Sequence, residues 1–208
     1  MQTKSPTAGI ILAAGASRRL GRPKQLLQIG AQTLLEKVIA TALASRLEQV
    51  VLVLGHQSER IITELGDKLR SPRLHVIVNE GYAKGMSGSL QRGLLQVRDA
   101  FPAIMVILAD HPFLDTASID SLLRQFRSSP KDIGVASIQG RRGLPVCFSS
   151  RFYDAIMAIR GDMGARNIIR DHPESVLAVE IENQQCFFDI DDEADLCRCL
   201  ALMAPDRQ

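Results

Sequence analysis

The chain has no tryptophan, two tyrosines and seven phenylalanines in 208 residues, so aromatics make up only 4% of it. A domain-sized core must then come mainly from Leu, Ile, Val and Ala, and a hydrophobic content of 46% supplies enough of them. Cysteine is scarce too: four thiols exclude the disulfide framework of a small secreted scaffold. Cys197 and Cys199 stand two apart in a helix-like segment, where they do not share a face, and no C-x-x-C pair exists to found a zinc or iron–sulfur site. Charge of one sign is also missing, since 25 Lys and Arg against 23 Asp and Glu leave +2, which excludes a basic nucleic-acid coat. No run approaches the ~20 apolar residues of a membrane span, and Met1 to Pro6 lack the apolar centre of a signal peptide. Repeats, low-complexity tracts and linkers are absent as well. What remains is a soluble globular protein, expected in the cytoplasm, with neither nucleic acid nor membrane as partner.

What is present is an alternation. Continuous apolar runs at Ile10–Leu12, Val50–Leu54, Leu74–Val78, Ala103–Leu108 and Ile133–Ile138 have the length of strands buried on both faces. Between them lie helical patterns, the first with Leu34, Leu35, Val38, Ile39 and Ala42 on one face. The β-α-β order predicts right-handed crossovers and a three-layer α/β/α sandwich on a Rossmann-like, mostly parallel mixed sheet. After residue 130 the rhythm changes. Leu144–Phe148 follows Ile133–Ile138 through a hairpin-like connection at 139–143, and short helices at 151–158 and 164–171, a strand at 176–181 and a helix near 192–202 complete the chain. One domain over 1–208 is expected, with a first part over about 8–115 and a second over about 116–208.

In such sheets ligands bind beyond the carboxyl ends of the strands, which singles out the loop after the first one. It reads Leu12-Ala13-Ala14-Gly15-Ala16-Ser17-Arg18-Arg19-Leu20-Gly21-Arg22-Pro23-Lys24. Two glycines and four cations beside a strand end offer backbone N–H groups and fixed charge to a polyphosphate. The spacing fits neither the G-x-G-x-x-G dinucleotide fingerprint nor a Walker A loop. It resembles instead the L-A-A-G-x-S-x-R-(L or M)-G-x-x-K signature of sugar-phosphate and cofactor nucleotidyltransferases. More narrowly, the chain is similar from about residue 8 to 200 to the MobA-like NTP transferases, and among them to the molybdenum cofactor cytidylyltransferases (MocA-type).

The resemblance implies that Arg19 and Lys24 hold the triphosphate while Leu12, Ala13, Ala14 and Gly15 face the base. The L-A-A-G form goes with CTP, and L-A-G-G with guanosine nucleotides. Asn79, Gly85, Ser87 and Ser89 lie in an element like the family's N-x-x-x-x-x-G-x-x-x-S-L, and are expected near the nucleotide. Asp110, at the end of the fourth strand in Ala109-Asp110-His111-Pro112, is placed to hold Mg²⁺. The family usually has G-D-Q-P there; His111 is expected among the acceptor-binding residues, and as a departure from the pattern it leaves the exact contact open. The second metal carboxylate lies in Asp189-Ile190-Asp191, where strand alternation puts Asp189 and Asp191 on one side. Asp191 matches the family's ligand, whereas Asp192, Glu193 and Asp195 read as helix-capping groups.

Two further elements point to the acceptor: Gly143 and Pro145 in an R-G-x-P-V-like segment, and Gly161, Asp162, Gly164 and Arg166 in a G-D-x-G-A-R-like one. His56, His75 and His172 read as structural. The implied activity is transfer of CMP from CTP to a phosphorylated acceptor of the molybdopterin type, with pyrophosphate released and a molybdoenzyme or its chaperone as onward partner. Competing readings are a GTP-using or other-acceptor relative, a cofactor carrier without catalysis, and an oxidoreductase on the same fold.

Overall fold

The computed structural model describes residues 4–161 and 165–204. At its centre β1 (Thr7–Ala13), buried along its whole length, runs parallel to β4 (Gln49–Leu54) on one side and β6 (Ala103–Leu108) on the other. The register pairs Ile11 with both Leu52 and Ile107. β5 (Leu74–Val78) lies beyond β4, and its exposed His75 and Val78 show it to be an edge strand rather than one covered on both faces. Beyond β6 come β8 (Arg141–Ser149), β7 (Ile133–Ile138) and β9 (Val176–Glu180), giving the order β5-β4-β1-β6-β8-β7-β9. β8 is antiparallel to both its neighbours. A separate ribbon pairs β2 (Gln28–Ile29) with β3 (Gln32–Thr33).

One face of the sheet is covered by α1 (Leu34–Ala44), α2 (Ser58–Leu65) and α4 (Thr116–Ser128). The other carries α3 (Met86–Leu95), α5 (Tyr153–Ala158) and α6 (Arg166–Asp171). The sandwich is thus the expected one, with its aliphatic core split into two layers and only Phe126 and Phe148 among its largest fully buried side chains from the aromatics. The hairpin between β7 and β8 is tighter than its sequence suggests. Gln139 and Gly140 alone make the turn, both in the left-handed region (φ 51° and 78°), and Arg141 to Gly143 already belong to β8.

Two packing details position the site. α3 lies so close to the sheet that a Cβ on Gly93 would sit 2.5 Å from Ile10 Cγ2 and 3.1 Å from Val53 Cγ2. Gly93→Ala should therefore lower stability by about 1–3 kcal/mol through overpacking, read as a shifted midpoint at constant slope in urea unfolding. α7 (Glu193–Met203) closes the chain over a third apolar cluster, in which Leu196 and Cys199 meet Leu20, Leu27 and Ile190. That cluster draws the last helix against the basic loop after β1.

Candidate active site

The loop leaving β1 is shaped by contacts that reach across it. Ala13 and Ala14 are buried, while Gly15 is exposed and a Cβ there would meet nothing. Ala14 abuts Gly55, where a Cβ would approach its methyl to 2.8 Å, and the His56 N–H donates to the Ala14 carbonyl at 3.2 Å. Ser17 (φ 50°) and Gly21 (φ 63°) both adopt left-handed backbone. For a serine that conformation is disfavoured, and it persists because the Lys24 N–H donates to Ser17 Oγ at 3.1 Å and the Leu20 N–H to its carbonyl at 3.0 Å.

Behind the loop stands a residue that the sequence does not single out. Gln25, 2% exposed, donates from Nε2 to the carbonyls of Ala13 (2.7 Å) and Gly15 (3.2 Å), and its Oε1 is buried without a partner. These two bonds tie the Ala13 and Gly15 carbonyls to a buried side chain. Gln25→Leu, which removes both bonds, should weaken nucleotide binding about tenfold in calorimetric titration while the fold persists.

Lys24 is the hub. Its Nζ donates to Asp110 Oδ2 at 2.6 Å, Asp191 Oδ1 at 3.1 Å and the Ile190 carbonyl at 3.1 Å, and Arg19 donates to the other oxygen of Asp191 at 2.6 Å. Residues 172 positions apart thus meet across one cluster. The Ile190 N–H ties the two acidic segments together through the Asp110 carbonyl, at 3.1 Å. Asp191 is fixed by the start of α7. There Asp192 and Asp195 form a capping box, and Asp195 Oδ2 also accepts from the Asp191 N–H at 3.0 Å. Arg22 pairs with Glu193. Residues 182–192 are irregular rather than strand, so alternation does not apply, and Asp189 is exposed and makes no ion pair among the described residues.

The element after β5 is organised by its own polar groups. Asn79 is buried, with Oδ1 accepting from the Gly81 N–H (3.1 Å) and Nδ2 donating to Ser89 Oγ (3.0 Å). Both side chains therefore shape the turn into α3. Gly85 (φ 111°) makes the sharp bend and Ser87 is buried in the first helical turn.

Between α3, β8 and α6 lies a cavity of about 640 Å³. Leu12, Met86, Leu90, Leu108, Leu144 and Ile169 are among the residues that line it. Gly143 is required there, because a Cβ would stand 2.7 Å from the Phe187 ring. A bulge in β8 between Val146 and Gly143 puts Leu144 into the cavity. Pro145, expected beside the acceptor, is instead buried in that bulge, where its missing N–H leaves no ladder bond unmade. His111 is a second correction. It is buried behind Asp110, its Nδ1 donating to the Cys186 carbonyl at 3.2 Å and its Nε2 3.8 Å from Asp110 Oδ1, and it does not line the cavity. Arg166 does, together with Arg142 and Arg170, which motif spacing alone did not assign a role. Gly161 turns with φ 72°; Asp162 and Gly164 lie outside the described residues.

Residues 9–176 match the MobA-like NTP transferase domain. The chain belongs to this family. It is 29% identical over 201 residues to the nicotine blue oxidoreductase of Paenarthrobacter nicotinovorans, covering 92% of this chain and 95% of that one. It is 30% identical over 168 residues to the purine catabolism protein PucB of Bacillus subtilis (78% and 80%). With the molybdenum cofactor guanylyltransferase of Mesorhizobium japonicum it shares 34% over 138 residues (65% and 62%). Among solved structures, Rv0371c of Mycobacterium tuberculosis in complex with manganese superposes with a TM-score of 0.78, at 25% identity, over 96% of this chain and all of that one.

In this MobA-like NTP transferase the acidic pair suits a divalent ion. Asp110 Oδ1 is buried without a hydrogen-bond partner among the described residues, and both carboxylates converge on one cation position, now taken by the Lys24 ammonium. Such hard oxygen donors match Mg²⁺ or Mn²⁺, with a ligand's phosphates able to complete the shell. Among the described residues no three His, Cys, Asp or Glu side chains gather as a metal group.

Burial works against charge on Lys24 and Asp191, yet their mutual attraction prevails: the two carboxylates hold the lysine above its usual 10.5, and the lysine and Arg19 hold Asp191 below its usual 3.8. A depressed carboxylate stabilises the fold above its unfolded pKa and ceases to do so as pH falls through the folded one. A raised lysine acts below its unfolded pKa and fails only as pH climbs through the folded one. Thermal unfolding of Asp191→Asn should thus lie below the wild type at neutral pH, and the gap should close as the pH is taken below 3.8.

Proposed function

We propose that the chain transfers CMP from CTP to a phosphorylated acceptor of the molybdopterin type and releases pyrophosphate, using Mg²⁺ held by Asp110 and Asp191. The observation that carries this reading is the meeting of Lys24, Arg19, Asp110 and Asp191 at the carboxyl ends of β1 and β6. Ala14, the second alanine of the L-A-A-G form, supports cytosine over guanine. The Mesorhizobium relative, named for guanylyl transfer to the molybdenum cofactor, supports the acceptor. The manganese in Rv0371c supports a divalent ion.

The protein's part is to orient and to neutralise. The N–H groups of the loop that Gln25 braces receive the triphosphate, with Arg19 and Lys24 set against its negative charge. Lys24 can leave the carboxylates for a phosphate because its ammonium is borne on a flexible stem. A divalent ion, when bound, supplies further charge neutralisation at the α-phosphate. The acceptor's phosphate is ionised near neutral pH, so no side chain need take a proton from it, and the nearest imidazole, His111, is turned toward the Cys186 carbonyl.

The test incubates purified protein with Mg²⁺, molybdenum cofactor and each of the four NTPs in turn, and records pyrophosphate. Release with CTP is expected. Release with GTP alone would overturn the base, and tight CTP binding without turnover would make the chain a carrier.

A further inference from the structure

We propose that the cavity between α3, β8 and α6 is a binding site for an organic anion with a largely apolar, drug-sized body, and that Arg142 and Arg166 hold the anionic group. Two observations carry this. The first is the wall. Its described side chains are aliphatic apart from three arginines, with Leu12, Leu90, Val106, Val135, Val146 and Ile169 among them, and none of these side chains is a carboxylate, amide or hydroxyl. About 640 Å³ lies within the range that admits a molecule of two or three rings. A body rich in hydrogen-bonding groups would be desolvated there without partners among these residues, whereas an apolar one gains from burial.

The second is the rim. Around the acidic cluster three of the loop's four cations, all but the exposed Arg18, are compensated: Lys24 by Asp110 and Asp191, Arg19 by Asp191, Arg22 by Glu193. At the cavity Arg170 is likewise engaged with Asp171. The guanidinium groups of Arg142 and Arg166 have no hydrogen-bond or ion-pair partner among the described residues. Both are exposed and line the cavity from different elements, one from β8 and one from α6. Two uncompensated guanidinium groups at the mouth of an apolar chamber favour phosphate, carboxylate or sulfonate, and their planar forks suit bidentate contact with any of them. A pterin ring is rich in hydrogen-bonding groups and does not suit this wall, so the ligand is a compound distinct from a molybdopterin-type acceptor, and its binding does not rest on the nucleotidyl-transfer reading.

The probe is anilinonaphthalenesulfonate, an apolar body with one anion, compared with its uncharged analogue phenylnaphthylamine. The sulfonate should bind the native protein saturably at one equivalent. Displacement by naphthyl phosphate and by naphthoate then ranks the anions, and displacement as strong by uncharged naphthol would overturn the role of charge. In R142Q/R166Q the sulfonate should weaken at least about tenfold while phenylnaphthylamine holds within about twofold, since the apolar wall is intact. Ile169→Trp, which fills the chamber, should exclude both probes. Equal affinity of the sulfonate for wild type and R142Q/R166Q, or unimpaired binding to Ile169→Trp with native thermal unfolding, would overturn the proposal. CTP affinity is measured on the same variants. It should not change, and a wild type that binds the sulfonate through its arginines but never binds CTP would defeat the nucleotide reading alone.

Discussion

Asp110→Asn should fold as the wild type does and release pyrophosphate at least about a hundredfold more slowly. Asparagine keeps the shape of the side chain and removes its charge. The backbone bond from the Ile190 N–H to the carbonyl of residue 110 does not depend on that charge, so the acidic segment before α7 stays docked. What is lost is the anchor of Lys24 at 2.6 Å and one of the two carboxylates that converge on the cation position. Loss of that ion pair should also lower the unfolding midpoint, as in Asp191→Asn, with circular dichroism native; a rate loss far beyond that fall in stability separates the chemistry from the fold. Asp189→Asn is the control, since Asp189 is exposed and outside the ion cluster, and it should leave turnover unchanged. Full activity in Asp110→Asn would remove the acidic pair from the mechanism.

How much of this was legible beforehand depends on the range of the forces involved. Continuous apolar runs dictate buried strands wherever they occur, so Ile10–Leu12 and Ala103–Leu108 announce the central strands without any tertiary information. β5 reads the same way and is half exposed, because its position at the sheet's edge is set by topology rather than by its own residues. The basic loop is legible because its glycine and its cations are local in sequence. Its brace is not: Gln25 is an unremarked polar residue until the chain folds back and puts its amide 2.7 Å from the Ala13 carbonyl. Motif position marked His111 for the acceptor, yet burial leaves that imidazole a nearby carbonyl as its partner and turns it away. Asn79 and Ser89 bond each other for the same reason, as buried polar groups must be paired. Asp191 was distinguishable from Asp189 only by resemblance. Physically the choice is made by the capping box of α7, whose Asp195 carboxylate fixes the Asp191 backbone and so aims its side chain at Lys24.

Lys24→Met should have the larger consequence for the cluster as a whole, and its sign with pH and with metal is opposite to that of a simple truncation. The substitution keeps an apolar stem in the half-buried channel and removes the ammonium that Asp110, Asp191 and the Ile190 carbonyl share. Two carboxylates then face one position with no cation between them. Their repulsion raises the pKa of one, so the variant should lose stability as pH rises above the ordinary carboxylate range, by about 1–3 kcal/mol at neutrality, where the wild type is flat. Binding of CTP in the absence of divalent ion should weaken at least about tenfold. Mg²⁺ or Mn²⁺ should act the other way. In the wild type an incoming ion must displace the ammonium from both carboxylates; in Lys24→Met it enters a vacated anionic site, so the same ion concentration should raise the melting temperature more in the variant. Differential scanning fluorimetry across an ion titration measures both slopes. A smaller metal-induced rise in Lys24→Met than in the wild type would mean that Asp110 and Asp191 do not share a cation position, and would leave the lysine as their only bridge.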